Sequence, residues 1–222
     1  MNKIFLLLLT LLLTLSANSQ NNSDIIYNVD TITWFGSDFS LFRLINKKKV
    51  GQEVKLEKYL EAWNTYYAAA ISNVKIAKWL SVKKVFNDKT FCDNVCEKGF
   101  SHKWIVSQPY TISEKMISNH LLDYNSDHSG LGLTFIIESF YKGDPSLVHG
   151  YFVWFDIETK DVIYIYKTQG EGRSVHFNSF GLTIGKSKNM PPTTGMTGYW
   201  LNGMIDSTLG FGINFKENAP KE

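Results

Sequence analysis

LGLTFIIESFYKGDPSLVHGYFVWFDIETKDVIYIYKT, residues 131–168, is rich in β-branched and aromatic residues. The pattern predicts three strands over about 131–142, 150–158 and 161–168. The first connection opens at Gly143-Asp144-Pro145, and residues 158–161 (ETKD) suit a tight hairpin turn. Connections this short join antiparallel strands, so the stretch predicts a C-terminal antiparallel β-meander.

Both faces of the second and third predicted strands are apolar. In 150–158, one face carries Tyr151, Val153 and Phe155, and the other carries Phe152 and Trp154. An antiparallel sheet that is open to water on one side alternates apolar with polar residues. We therefore expect this sheet to be covered on both faces. Because the chain offers few helices, a second copy in a homodimer is one source of that cover.

Upstream of the meander, the sequence predicts an interrupted strand and a long amphipathic helix. Thr31–Leu44 has strand composition, and Gly36 predicts a kink or bulge inside it. Glu53–Val74 has the alternating spacing of three and four residues that gives a helix one buried face. The residues of that face are Leu56, Leu60, Trp63, Tyr67, Ala70, Ile71 and Val74.

Shorter elements complete the predicted fold. Lys83–Asn87 is expected to be an edge strand, Thr111–Tyr124 a helix that starts with a capping box, and Gly198–Ser207 a final short helix. Residues 169–198 form a Gly-, Ser- and Thr-rich excursion, while 20–29 and 216–222 are a polar arm and tail. The prediction is a single α+β domain over 30–215, with a mainly antiparallel sheet of four to five strands and two to three helices.

Residues 1–19 have the pattern of a secretory signal peptide. A short basic start is followed by an apolar run over 4–15, and small residues precede an expected cleavage site between Ser19 and Gln20. The run is shorter than the about 17–25 residues of a membrane-spanning helix, although a retained anchor is the alternative. No later stretch reaches that length. The mature chain is therefore expected in the periplasm or outside the cell, with no membrane span.

Composition argues against several classes of protein. The 222 residues are 44% hydrophobic and 20% charged, with a formal net charge of +2, which is typical of a globular domain and not of a disordered chain. Nucleic-acid binding needs a clustered excess of Lys and Arg. A near-neutral chain therefore argues against a nucleic-acid partner.

The chain has two cysteines, Cys92 and Cys96. In an oxidising compartment, a closely spaced pair favours a disulfide, and two thiols are the alternative. A metal or redox site is disfavoured because structural zinc needs four ligands and redox pairs usually have two intervening residues. No cofactor is expected.

The sequence contains no recognisable catalytic set. It has no Gly-x-Ser-x-Gly elbow, and a glycosidase needs two carboxylates across a cleft. His128 and His149 flank the first meander strand and could approach each other as an acid–base or metal site. Glu138 interrupts the same apolar strand, where a carboxylate must be paired or hydrogen-bonded. Enzymatic activity is therefore the less favoured interpretation, and no catalytic or metal-ligating residue is assigned.

A small set of residues is predicted to contact a ligand. Exposed aromatic side chains suit sugar faces and protein partners, and Trp104 and Trp200 lie beside loops. Arg173 follows a Gly-rich turn and could bind an anion. The candidates are Glu138, Trp104, Trp200, Tyr199 and Arg173.

Five motifs follow each other along most of the chain: WFGSDFS (34–40), AWN (62–64), GLGLTFIIES (130–139), YFVWFDI (151–157) and GYW (198–200). In this order they resemble an uncharacterised family of small secreted proteins from Bacteroidetes-type bacteria. That family usually passes from its last strand through a short Gly-rich turn directly into its Tyr-Trp helix, whereas here residues 173–195 intervene. The resemblance implies export and an α+β fold, and it implies no reaction.

The resulting expectation is an exported, non-enzymatic binding or interaction module of the bacterial cell envelope, with a protein or envelope component as its partner. One alternative is a glycan or small-ligand binder that uses the aromatic sheet and the 169–198 excursion. The other is a hydrolase that uses Glu138 or the His128/His149 pair.

Overall fold

The computed structural model describes residues 22–45, 56–97, 104–172 and 196–220. A 3₁₀ turn at Asn22–Tyr27 leads into the first strand. The strands are β1 (Thr31–Asp38), β2 (Arg43–Ile45), β3 (Lys84–Asn87), β4 (Ile105–Val106), β5 (Leu131–Tyr141), β6 (Leu147–Asp156) and β7 (Val162–Glu171). The helices are α1 (Leu56–Ala70), α2 (Asn73–Leu80), α3 (Thr90–Glu97), α4 (Glu114–Leu121) and α5 (Met196–Glu217).

The central strand of the sheet is β5. Because β6 pairs with it along its whole length, β1 and β2 follow each other along its opposite edge. The short strands β3 and β4 pair with β1 and β2, and all the pairings on this side of β5 are parallel. On the other side, β6 and β7 are antiparallel to their neighbours.

The predicted fold class is therefore wrong. The strand order β3-β1-β5-β2-β4 is parallel throughout, and the described chain forms a seven-stranded α/β sheet rather than a mainly antiparallel one of four to five strands. The β5-β6-β7 meander itself is present. Parallel pairing requires crossover connections, which the segments carrying α1 to α4 supply between the short strands.

The interruption predicted at Gly36 is confirmed. Gly36 has a φ of +90°, a conformation that residues with a Cβ avoid. The pairing of β1 with β5 shifts register between Trp34 and Ser37, as expected for a bulge. Beyond the bulge, β1 pairs with β5 as far as Asp38. After residues 39–42, the chain pairs with the same edge of β5 again, as β2.

Two apolar cores cover the two faces of the sheet. The larger core lies between the sheet and helices α1, α2 and α5, and the smaller core lies between the sheet, α4 and residues near 110–112. The prediction of cover on both faces is confirmed for β6, whereas residues 162–166 of the edge strand β7 are half-buried. Within the described residues, the cover comes from the chain's own helices.

Helix boundaries differ from the prediction where a polar side chain caps the backbone. Leu60 and Trp63 are buried on α1 as predicted, but Val74 is 78% exposed. The Ser72 side chain caps a new helix there, so Val74 falls in the first turn of α2 instead of continuing α1. Similarly, Ser113 rather than Thr111 caps α4.

The C-terminal helix is much longer than predicted. It runs from Met196 to Glu217, whereas the sequence predicted a short helix over Gly198–Ser207 and a polar tail over 216–222. Phe211 and Phe215 lie in the second half of α5 and are buried against the sheet in the larger core. Burial of these two rings favours continued helix despite the glycines of the segment.

The predicted disulfide is wrong. Cys92 and Cys96 form no disulfide, and both lie buried on α3, four residues apart. Side chains at that spacing on a helix have Cβ atoms about 5–6 Å apart, beyond the roughly 3.5–4.5 Å that a disulfide needs. Burial raises the pKa of the Cys92 thiol well above its ordinary value, and the charge of Asp38 adds to this effect.

Several predictions fall outside the described residues: the signal peptide with its Ser19–Gln20 cleavage site, Arg173, and most of the 169–198 excursion. In the ranges that are described, no helix combines the length and apolar character needed to cross a membrane.

Candidate functional site

A β-bulge at Glu138 breaks the alternation of β5. Ile137 pairs with Gly150 and Ser139 pairs with His149, so Glu138 has no opposite residue on β6. One extra residue changes which face the following side chains occupy. Glu138 and Ser139 consequently line the same cavity, and Phe140 returns to the larger core.

The bulge lies in a cleft of about 360 Å³, near the lower end of the roughly 300–1,000 Å³ typical of ligand pockets. The cleft is at the edge of the sheet where the parallel strands β2, β4 and β5 end, the usual position of binding sites in parallel sheets. Its lining residues are Ile45, Ser107, Pro109, Tyr110, Thr111, Glu138, Ser139, Tyr141, His149, Lys167 and Gln169.

The Glu138 carboxylate is 3% exposed and is held through one of its two oxygens. Oε2 accepts hydrogen bonds from the backbone N–H of Ile112 at 2.8 Å and from the Tyr151 hydroxyl at 2.7 Å. Within the described ranges, no donor contacts Oε1. The carboxylate is therefore fixed in position while one strong acceptor stays available at the cleft.

The Tyr151 hydroxyl, which donates to this carboxylate, keeps its proton. Its burial raises the pKa of the phenol well above the ordinary value, and the hydrogen bond with Glu138 raises it further. The hydroxyl therefore stays protonated across the physiological range. The Lys167 ammonium lies 5.4 Å from the centre of the Tyr151 ring. Its positive charge is therefore on the same side of the sheet as the Tyr151 side chain.

His149 contributes a neutral imidazole. Its burial lowers the pKa of the ring, with a smaller contribution from Lys167, and the opposing effect of Glu138 does not reverse the direction. At pH 7 the ring is therefore uncharged. Its Nδ1 lies 3.3 Å from the Ser139 hydroxyl, and the two side chains share a hydrogen bond.

Tyr110 brings an aromatic ring to the cleft. The Arg43 guanidinium lies 4.8 Å from the ring centre, a cation–π geometry that holds the ring in place. The Tyr110 hydroxyl is buried and has no hydrogen-bond partner among the described residues. Its burial, aided by Glu138 and opposed by Arg43, raises the pKa of this phenol.

Of the predicted ligand contacts that the structure describes, Glu138 alone lies in the cleft. Trp200 is 2% exposed and stacks on Phe140 at 4.9 Å, so its predicted exposed position is wrong. Trp200 lies in the first turns of α5 and packs against the sheet in the larger core. Tyr199 is half-buried beside it at 5.2 Å, and Trp104 is half-buried against the larger core. These aromatic residues do not converge with Glu138.

The predicted His128/His149 cluster does not form. His128 stacks on Phe86 at 5.0 Å, before the start of β5, whereas His149 pairs with Ser139 near the other end of that strand. An 11-residue strand separates its ends by roughly 33 Å. In the described part of the chain, no three His, Cys, Asp or Glu side chains converge as metal ligands.

Sequence reasoning missed Tyr110, Lys167 and Gln169 as cleft residues. The consecutive polar pair Glu138-Ser139 inside an apolar strand was a readable signal for the bulge. Lys167 and Gln169 are two residues apart on β7 and therefore lie on the same face of the sheet. Their polarity indicates that this otherwise apolar face has a polar end. Tyr110 lies outside the helices and strands and had no local signal.

A second buried carboxylate, Asp38, lies at the end of β1. One oxygen accepts hydrogen bonds from His120 Nε2 and from the Tyr124 hydroxyl, both at 2.6 Å. The other accepts from the backbone N–H and hydroxyl of Ser40 at 2.8 and 2.6 Å. Burial alone would raise the pKa of Asp38 and lower that of His120. Their mutual hydrogen bond and charge reverse both directions, so the two groups form a buried ion pair.

Comparisons with known proteins add little to this geometry. No protein-family model matches the chain, and no curated protein matches it. Among solved structures, a hypothetical protein from Chlamydia trachomatis is similar over 85% of this chain and 99% of its own, with 8% identity and a TM-score of 0.31.

Proposed function

We propose that this protein is an exported, non-enzymatic binding protein whose cleft at Glu138 holds a small polar ligand. The observation that carries the proposal is the hydrogen bonding of the Glu138 carboxylate. This side chain is 3% exposed, and both of its hydrogen bonds go to Oε2. Oε1 has no donor among the described residues, and it is not fully enclosed, so a ligand donor can reach it from the cleft.

The shape of the cleft supports a small ligand rather than a protein partner. The chain's own helices cover much of both sheet faces, and the large exposed apolar side chains are spread over the 3₁₀ turn, α2, α4 with its C-terminal cap, and α5. By contrast, the cleft gathers polar groups from the segment after β4 and from β5, β6 and β7.

Binding fits these residues better than hydrolysis does. Ser139 shares a hydrogen bond with His149, but among the described residues no third group bonds the other ring nitrogen, as the orienting member of a nucleophile–base set would. Glu138 is the one carboxylate among the lining residues, whereas glycoside hydrolysis uses two. A hydrolase would need a reactive group from elsewhere in the chain.

The test is a thermal-shift screen with wild-type protein, Glu138→Gln and the control Glu158→Gln. The glutamine oxygen can keep both hydrogen bonds at the Oε2 position while its NH₂ replaces the acceptor Oε1. Glu158 is an exposed residue of the β6–β7 hairpin. The panel contains glycans, nucleotides, metal ions and peptidoglycan fragments.

At 100 times its dissociation constant, a ligand stabilises the folded protein by about 2.7 kcal/mol, which is readily visible. We expect one class to shift the wild type and Glu158→Gln but not Glu138→Gln. If every shift is unchanged in Glu138→Gln, the cleft is not the binding site.

Export has its own test. Expressed from its full gene in a bacterium with a secretory pathway, the protein should be recovered outside the inner membrane with Gln20 as its first residue. An intact N-terminus at Met1 in the cytoplasmic fraction would contradict the proposal. N-terminal sequencing of the fractions distinguishes the two results.

A further inference from the structure

The charges around the cleft restrict the chemistry of its ligand. Glu138 supplies one negative charge, Lys167 supplies one positive charge, and His149 is neutral at pH 7. An anion such as phosphate would be repelled by the fixed Glu138 carboxylate. A cation would be repelled by the Lys167 ammonium and by the Arg43 guanidinium, which lies over Tyr110. A ligand without net charge avoids both repulsions.

The hydrogen-bonding groups of the cleft are of mixed kind. Glu138 Oε1 only accepts, Lys167 only donates, and Gln169 does both. The His149 ring and the hydroxyls of Ser107 and Thr111 also combine the two roles. A ligand group that both donates and accepts, such as a hydroxyl, can match such a surface at several points.

The buried position of Glu138 also favours a hydroxyl over an ammonium group. A ligand ammonium would have to lose most of its water to reach a carboxylate that is 3% exposed, and that desolvation is expensive. A hydroxyl loses less, and it still makes a strong hydrogen bond because its acceptor is charged.

Two tyrosine rings give the cleft apolar surface beside these polar groups. Tyr141 ends β5, and Tyr110 is held under Arg43. Sugar rings present hydroxyls at their edges and C–H groups on their faces, and those faces can pack on tyrosine rings. The volume of about 360 Å³ limits the ligand to a small one.

We infer that the ligand of the Glu138 cleft is a small neutral sugar, with one hydroxyl donating to Oε1 of Glu138 and the ring lying against Tyr110 and Tyr141. This inference rests on the proposed function, because it names the ligand class of the same site.

The experiment is ligand-observed NMR on the full chain with four sets of probes. These are neutral mono- and disaccharides including glucose and N-acetylglucosamine, the zwitterions glutamine and alanine, inorganic phosphate, and tetramethylammonium. Glu138→Gln removes the acceptor, and Gln169→Trp blocks the cleft at an exposed residue whose replacement should not disturb folding. Glu158→Gln is the matched control.

A sugar should bind the wild type and Glu158→Gln, and Glu138→Gln should weaken it at least about 10-fold, the effect of losing a hydrogen bond to a charged acceptor. Gln169→Trp should abolish it. If a zwitterion, phosphate or tetramethylammonium binds instead and Gln169→Trp blocks it, the sugar inference is overturned while the proposed binding function stands. If no probe binds in a way that Gln169→Trp changes, both are overturned.

Discussion

The buried Asp38–His120 pair predicts a stability maximum with two identifiable edges. Asp38 has a lowered pKa in the folded protein, so its contribution is present above its unfolded value of about 3.8 and is lost as pH falls through the folded value. His120 has a raised pKa, so its contribution is full below about 6.5 and is lost as pH rises through the folded value. Stability should therefore decline on the alkaline side, above pH 6.5.

The size of the effect follows from the hydrogen bonds of Asp38. In Asp38→Asn, the negative charge is lost and one oxygen becomes an NH₂ group, which cannot accept from the two donors it faces. At about 1.5–3 kcal/mol for each hydrogen bond to a charged group, the expected loss is roughly 3–6 kcal/mol. Removing one partner of a buried ion pair costs about 3–5 kcal/mol, which lies within this range.

Urea unfolding followed by tryptophan fluorescence at several pH values measures the free energy of unfolding. It gives both the pH dependence of the wild type and the loss in Asp38→Asn. His120→Gln is the milder variant: its amide can still donate to Asp38, but it cannot titrate, so the alkaline decline should disappear. Asp30→Asn breaks an ion pair of 2.8 Å between exposed side chains and serves as the control, with an expected loss below about 1 kcal/mol. A wild-type curve that is flat from pH 6 to 8, or a decline over that range that persists in His120→Gln, would refute the assigned ion pair; above about pH 8 the buried Cys92 thiol also lowers stability.

Two further predictions concern the packing of α5 and the state of the cysteines. A Cβ on Gly170 would overlap the backbone of α5, so Gly170→Ala should destabilise by several kcal/mol, whereas Gly210→Ala, with nothing within 4 Å of its Cβ, should stabilise the helix by about 0.5–1 kcal/mol. Equal effects of the two alanines on the urea midpoint would contradict the close approach of α5 to β7. Cys92 and Cys96 should react with Ellman's reagent rapidly in denaturant without reductant and slowly in the native state, because both are buried thiols. Absence of reaction in denaturant would indicate a disulfide.

The sequence reveals the meander but not the partners of its first strand. Residues 131–168 carry long apolar segments joined by short turns, and such local patterns determine both strand type and antiparallel pairing. The parallel half depends on strands of 8, 3, 4 and 2 residues that pair with β5 or with each other across long connections. A short strand pattern shows that a segment is extended, and it contains no information about which distant edge the segment joins.

The same limit applies to the polar groups. Asp38 has a local role that composition can suggest, because it accepts from Ser40 in a turn. Its pairing with His120, 82 positions away, depends on α4 lying across the end of β1. For Glu138 the useful signal was local, since two polar residues in a row inside an apolar strand indicate a bulge.

The two buried carboxylates differ in a way that separates a structural role from a binding role. Both lie on strands and both are almost inaccessible to solvent. Asp38 uses both oxygens and accepts four hydrogen bonds from protein donors, so a ligand would have nothing to add there. Glu138 uses one oxygen, and the bulge places it at a cleft. Oε1 of Glu138 is not among the buried unpaired atoms, so it faces the cleft and can accept a hydrogen bond from a ligand, which supports the proposed binding role.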